Sequence, residues 1–323
     1  MTTRVMQAAV LTGAQRLRVV SLAVPEPGPH DIRIRLEGCG VCASNLPVWE
    51  GRPWFAYPLA PGAPGHEGWG RIDAVGREVR GLALGERVAV LSAHAYATYD
   101  VAQAEAVVPL PDSLEEMPFP GEALGCAMNV FRRSAILPDQ TVAIIGIGFL
   151  GALLTALASQ AGAHVIAISR RAVALEIARQ YGATATLRLE NPQQVVTQVH
   201  ALTGGAGCER VIEAVGQQEP LDLAGELTRV GGRLIIAGYH QDGLRQVNMQ
   251  LWNWRGLEVI NAHERDPAVV LEGVRMAVEA VTRGTLNPMP LYTHKATLEQ
   301  LSTIFAAMQQ RPDGFLKAWI TYE

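Results

Sequence analysis

Four cysteines in 323 residues, Cys39, Cys42, Cys126 and Cys208, are too sparse for the disulfide framework of a small secreted domain. No unbroken apolar run reaches about 18 residues, so no segment reads as a membrane-spanning helix. Residues 1–13 lack the charged-then-apolar pattern of a signal peptide. These absences together lead us to expect a reduced, cytoplasmic compartment and no membrane partner. Neither charge sign dominates: 27 basic and 31 acidic residues leave a net charge of −4. That balance gives no electrostatic footprint for nucleic acid or an anionic lipid surface. Charged residues make up only 18% of the chain and hydrophobic ones 49%, which excludes disorder as the dominant state. There is no internal repeat.

What is present divides into two patterns, and the length suits two domains better than one small core. Residues 5–11, 17–20, 31–36, 68–75 and 86–91 are short apolar runs rich in β-branched side chains, separated by glycine and proline turns. They predict a partly closed barrel. The pattern changes near Glu122. A helix is expected over 123–135, then a continuous apolar strand over 141–145. An apolar stretch reaches Gly162, a residue type that suits a helix end. Strand 164–169, helix 172–181, strand 210–214, a helix near 221–229, a Gly231-Gly232 turn, and strands 233–237 and 257–261 follow. Alternating strands and helices imply a parallel sheet covered on both faces. Beyond about residue 264, two helical stretches and a strand over 315–320 return to the first domain.

Gly146-Ile147-Gly148-Phe149-Leu150-Gly151 lies between a strand and a helix. Gly146 permits the tight turn, Gly148 lets backbone approach a pyrophosphate, and Gly151 lets helix and strand pack closely. A plain glycine turn would look the same locally, but the second strand ends at Ser169, 23 positions past Gly146, as a dinucleotide site requires. An NAD-preferring site has an acid at that strand end. Ser169-Arg170-Arg171 stand there instead, which suits a 2′-phosphate or, alternatively, two solvated arginines opening a helix.

Gly40-Val41-Cys42-Ala43-Ser44-Asn45-Leu46-Pro47 is followed by Gly65-His66-Glu67-Gly68. A thiolate and an imidazole from separate loops, completed by a carboxylate, would hold zinc with one position open. Cys39 and Cys42 also have the spacing of a redox pair or of half a structural zinc site. No second C-x-x-C exists, and the context is not thioredoxin-like.

These segments resemble the catalytic signature of the zinc-dependent medium-chain dehydrogenase/reductase superfamily, of the alcohol and polyol dehydrogenase type. The resemblance runs through Pro25-Glu26-Pro27-Gly28, the cysteine loop, Gly65-His66-Glu67, Gly85-Glu86-Arg87-Val88, Gly146 to Gly151 and Gly231-Gly232. It implies an α/β protein. A β-rich GroES-like catalytic domain, split over residues 1–123 and 265–323, would flank a Rossmann domain with a doubly wound parallel sheet over 124–264. Cys42 and His66 match the first two zinc ligands, and Glu67 the nearby acid that supports or exchanges with them. Ser44 matches the proton-relay hydroxyl. Glu122, 24 positions before Gly146, matches the third ligand of polyol-dehydrogenase relatives, with Cys126 the competing candidate. The cofactor residues implied are Gly146, Gly148, Phe149, Leu150, Gly151, Ser169, Arg170, Arg171, Ala214, Val215, Ala237, Gly238 and Lys317. NADP(H) is expected over NAD(H), a small alcohol or carbonyl as substrate, and a homodimer or homotetramer.

Three departures from the family pattern stand out. The cysteine-rich lobe that would follow Val88 is missing, since the chain runs directly through Ser92-Ala93-His94-Ala95-Tyr96, so one zinc is expected. Asn45 stands where relatives carry the Asp that orients the zinc-bound histidine. Pro47 replaces a histidine that often ends the proton relay; His94 is a substitute or simply a surface-loop residue. Trp49, Trp54, Phe55 and Tyr57 would border the substrate cleft or form a packed lid, and Trp252 and Trp254 would serve a subunit contact or the core. The implied reaction is hydride transfer between an alcohol and the nicotinamide. Reduction of activated double bonds without zinc and non-catalytic cofactor binding are the alternatives.

Overall fold

Short β-branched runs between tight turns direct the first hundred residues into antiparallel pairing. The computed structural model describes residues 4–322, which form two units: one up to Gly125 and again from Asp266, the other over 126–265. The first unit begins with β1 (Val5–Gly13), β2 (Arg16–Ala23), β3 (Asp31–Val41), β4 (Glu67–Val75), β5 (Arg87–Val90), β6 (Tyr99–Gln103) and β7 (Val107–Pro109). β1 and β2 make a hairpin. β3 is the hub, pairing antiparallel with β4 and β6. Its inward residues Ile32, Ile34 and Leu36 alternate as a half-buried strand requires. A register shift between Leu36 and Gly38 then moves the buried positions to Cys39 and Val41. Gly38 and Gly40 are thereby turned to the opposite face, and on that face the site is built.

In the second unit, β8 (Thr141–Ile145), β9 (His164–Ser169), β10 (Ala185–Arg188), β11 (Cys208–Glu213), β12 (Thr228–Ile236) and β13 (Glu258–Asn261) form one parallel sheet ordered β10-β9-β8-β11-β12-β13. The order reverses between β8 and β11, which makes the sheet doubly wound with its crevice at the carboxyl ends of those strands. Consecutive residues Val142, Ala143, Ile144 and Ile145 are all fully buried. Burial without alternation means that both sheet faces are covered, here by the helices between the strands. The expected Gly231-Gly232 turn lies inside β12, where Gly231 takes a positive φ and the strand kinks without ending. β10 and the helix Pro192–Leu202 add a βα step that the sequence patterning did not mark.

The chain returns to the first unit with the helix Pro267–Thr282, β14 (Tyr292–Thr297), the helix Leu301–Gln310 and β15 (Lys317–Thr321). β15 pairs with β3, giving the order β14-β15-β3-β4-β5-β7. Thr297 and Gln300 form a reciprocal capping box at the turn into the helix Leu301–Gln310. That helix buries Leu301, Ile304, Phe305 and Met308 in the barrel core with Ile34, Leu36, Val41 and Ile320. No helix among the described residues is long and apolar enough to cross a membrane.

Candidate active site

Cys42 follows β3 directly and caps the short 3-10 helix 43–45, which holds Ser44 half-buried two residues on. The helix Leu46–Glu50 continues from it and stops at Gly51 in the left-handed region. Pro47 sits in the first turn of that helix, where its missing N–H costs nothing. A helix start thus explains the proline that replaces the relay histidine. His66 immediately precedes β4, and the β3–β4 register sets Glu67 opposite Gly40. The Cys42 thiol, a His66 ring nitrogen and a Glu67 carboxylate oxygen consequently lie within 4.8 Å of one another. Bond lengths of about 2.0–2.3 Å around a tetrahedral zinc put ligand atoms ~3.3–3.8 Å apart, so the three donors fit that ion with a small contraction.

Glu67 is fully buried, and its partner is Lys317 on β15, two strands away. The Lys317 Nζ is 2.6 Å from Oε1 and 2.5 Å from Oε2. The carboxylate crosses β3 over Gly40, where an added Cβ would fall on Oε2 itself. Burial alone would lower the lysine's pKa, but the charges of Glu67, Cys42 and Glu122 outweigh it and hold the ammonium above its usual range. The Lys317 ammonium is thus buried and paired with Glu67.

His66 Nδ1 is 2.9 Å from the Pro64 carbonyl oxygen. A carbonyl only accepts, so Nδ1 carries a hydrogen, which leaves Nε2 as the nitrogen a metal ion would take in place of a proton. Burial depresses the imidazolium, yet the Cys42 hydrogen bond and charge, with Glu122 and Glu67, raise its pKa to about 10. Asn45 does not touch the His66 ring directly: its Nδ2 donates to the same Pro64 oxygen at 3.3 Å, and its Oδ1 accepts from Tyr96.

Glu122 opens the helix Gly121–Ser134 and is not brought into the three-donor cluster. Burial raises its carboxyl pKa, Glu67 adds to the rise, and His66 and Lys317 oppose it. Cys126, one turn on, is also outside the cluster. Cys39 is buried in the barrel core with its thiol pushed up by burial, a packing role that leaves no redox pair with Cys42. His94 is exposed, as a surface-loop residue would be. Of the aromatics, Trp49 is a core residue against Phe305, Tyr57 is tied to the Val48 carbonyl, and Trp54 is exposed.

The second unit holds the remaining candidates at the carboxyl ends of its strands. Gly146 has φ +97°, and a side chain there would strike Val215. A Cβ on Gly151 would fall on the Gly146 carbonyl, whereas one on Gly148 would meet nothing within 4 Å. Closure at Gly151 and open space at Gly148 are what a phosphate cradle at a helix N-terminus needs. Phe149 and Leu150 begin the helix Phe149–Gln160, whose N-cap Gly148 supplies no side-chain cap. Ser169 is buried and its hydroxyl accepts from the Arg171 backbone at 3.3 Å. The Arg171 guanidinium reaches the Ile147 carbonyl at 3.4 Å, while Arg170 is exposed.

Ala214 and Val215 follow β11, and Ala237 and Gly238 follow β12. One residue that sequence reasoning missed binds both turns. Glu213, fully buried, accepts from Val215 and Gly216 N–H at 2.6 and 2.8 Å, while its backbone oxygen accepts from Ala237 and Gly238. Its Oε2 is 3.0 Å from His240 Nε2, and Arg245 donates to His240 Nδ1 at 2.8 Å. The available signal was an acid ending an apolar parallel strand, just before a small-residue turn.

Two family profiles match this chain. The alcohol dehydrogenase GroES-like domain matches residues 28–142, and the zinc-binding dehydrogenase domain matches residues 150–279. Mouse sorbitol dehydrogenase is 27% identical, with 92% of this chain and 90% of that protein aligned. An alcohol dehydrogenase of Cupriavidus necator is 26% identical over 98% of each. The crystal structure of 2R,3R-butanediol dehydrogenase from Bacillus subtilis shares the fold, with a TM-score of 0.86 at 22% identity over 98% of this chain and 100% of that one.

Proposed function

The chain belongs to the zinc-type medium-chain dehydrogenase/reductase superfamily and is an oxidoreductase of the alcohol and polyol dehydrogenase kind; from that premise we propose that it holds one zinc ion and works with NADP(H) on the CH–OH group of a small alcohol or polyol. The observation that carries this reading is the convergence of Cys42, His66 and Glu67, with His66 turned to offer Nε2. Zinc held there would polarise the substrate oxygen, and the nicotinamide would carry the hydride. Cys42 and His66 are the fixed ligands. Glu67 stands between the ion and Lys317, and Glu122 adds negative charge beside them. Ser44 relays the substrate's hydroxyl proton during oxidation, accepting it while its own hydrogen passes on toward solvent, and the relay runs in reverse during reduction.

In the dinucleotide unit, the N–H groups after Gly148 receive the pyrophosphate. Ala214, Val215, Ala237 and Gly238 line the nicotinamide half. Ser169, Arg170 and Arg171 supply donors where an NAD site would place an acid, which favours NADP(H). We also assign the chain to the cytoplasm as a homodimer or homotetramer. The free edge of β13 and the exposed Trp254 on the preceding helix offer the contact.

Metal analysis should return one zinc per chain. A panel of alcohols, polyols and carbonyls, followed by NADPH absorbance in both directions, should identify turnover. Titrating both cofactors should favour NADPH roughly 10- to 150-fold, the range of one charge-assisted hydrogen bond. Two zinc equivalents, or none in metal-replete protein, would overturn the zinc reading; equal affinities would overturn the cofactor preference.

A further inference from the structure

Asn45 and Tyr96 are among the most buried polar groups of the first unit, at 3% and 0% exposure. The Tyr96 hydroxyl donates to Asn45 Oδ1 at 2.7 Å. The other half of the amide faces the Pro64 oxygen, which can only accept, so that half must be the NH2 group. The Pro64 oxygen therefore receives two donors, Asn45 Nδ2 and His66 Nδ1, one for each lone pair. Tyr96 itself is anchored twice: its backbone N–H donates to Gly62, and its ring packs edge-on against Phe305. Ala95 N–H also donates to Gly65. The segment 95–96 is thus laced to the loop 62–65 that carries the proline.

Resting on the reading of this site as a metal centre, we propose that Asn45 and Tyr96 are positioning residues for the metal: Tyr96 orients the Asn45 amide, the amide holds the Pro64 carbonyl, and that carbonyl fixes the ring of His66. The role needs an amide. A carboxylate at position 45 could still accept from Tyr96, but it would set an oxygen against the Pro64 oxygen and push it away. An aspartate at this position would consequently be the wrong residue in this chain.

The test is zinc affinity by chelator competition, together with the visible absorption spectrum of the cobalt-substituted protein, for wild type, Asn45→Asp, Tyr96→Phe and the double variant. Groups that orient metal ligands typically alter affinity by about 10- to 100-fold, and Asn45→Asp should lose an amount in that range. Tyr96→Phe removes one neutral hydrogen bond and should lose roughly 2- to 10-fold. The double variant should lose less than the product of the two, since both act through one carbonyl. Both single variants should shift the cobalt bands. Zinc binding by Asn45→Asp equal to or tighter than wild type, with an unchanged spectrum, overturns the inference. If Asn45→Asp does not fold, Tyr96→Phe decides by the same two readouts. Wild-type protein that binds neither ion overturns the metal-centre reading and this inference with it; bound metal that is indifferent to both substitutions overturns this inference alone.

Discussion

Lys317 pairs with an acid that is remote in the sequence. Its Glu67 partner is 250 positions away, so no local pattern could join them. Cys42, His66 and Glu67 were legible because two short motifs hold them and one strand pairing brings the motifs together. Glu67 is buried and has two claimants, Lys317 and the proposed zinc. Removing one partner of a buried ion pair costs about 3–5 kcal/mol because the other charge is stranded. Lys317→Met should therefore destabilise metal-free protein by about that amount. Zinc-loaded protein should lose less, since the ion supplies positive charge to the same carboxylate. Denaturant unfolding with and without zinc measures both, and equal losses would mean that ion and lysine do not share Glu67. Ser44 makes a separate prediction. Ser44→Ala should lower turnover by about 10²–10⁴-fold, the usual size of a general acid–base step, with cofactor affinity nearly unchanged. Full activity in that variant would send the proton by another path.

At the scale of elements, the glycine turn tests whether the β8–helix junction is a phosphate cradle or merely a turn. Gly151 and Gly148 separate the two. A methyl on Gly151 would drive the helix off the Gly146 carbonyl, and overpacking of that kind costs about 1–3 kcal/mol. Gly151→Ala should lose that much stability and bind dinucleotide poorly. A methyl on Gly148 meets only open space, and φ is −99° there, so Gly148→Ala should leave stability within about 0.5 kcal/mol of wild type. It should still weaken dinucleotide binding, because the methyl occupies the space the phosphates need. Calorimetric titration and thermal unfolding of both variants suffice; unchanged dinucleotide affinity in Gly148→Ala would reduce the motif to a turn. The strongly apolar strands β8, β9 and β11 were legible because continuous burial leaves continuous apolar runs. β10 and β14 were not, being short strands at sheet edges with partly exposed, mixed side chains. The kink in β12 was read as a turn because paired glycines signal both.

For the molecule as a whole, metal, protons and folding are linked through His66. In the metal-free chain its pKa is raised to about 10, against an ordinary value of 6.5. A raised folded-state value means that the folded chain holds a proton the unfolded chain has released. The stabilisation from His66 is then fully present below about pH 6.5 and is lost as pH rises through about 10. A zinc ion on Nε2 displaces that proton, so between those limits His66 in the loaded protein is unprotonated both folded and unfolded. Its contribution to the loaded protein's stability is flat where that of the metal-free protein falls. One proton corresponds to at most about 1.4 kcal/mol per pH unit. The stability difference between zinc-loaded and metal-free protein should accordingly widen with pH over this window, and zinc uptake should release protons in unbuffered solution. Unfolding at pH 7, 8 and 9, with zinc in fixed excess or with chelator, measures the gap. Parallel profiles would show that the metal does not compete with a proton on His66, and the ion would then have to be placed on other donors.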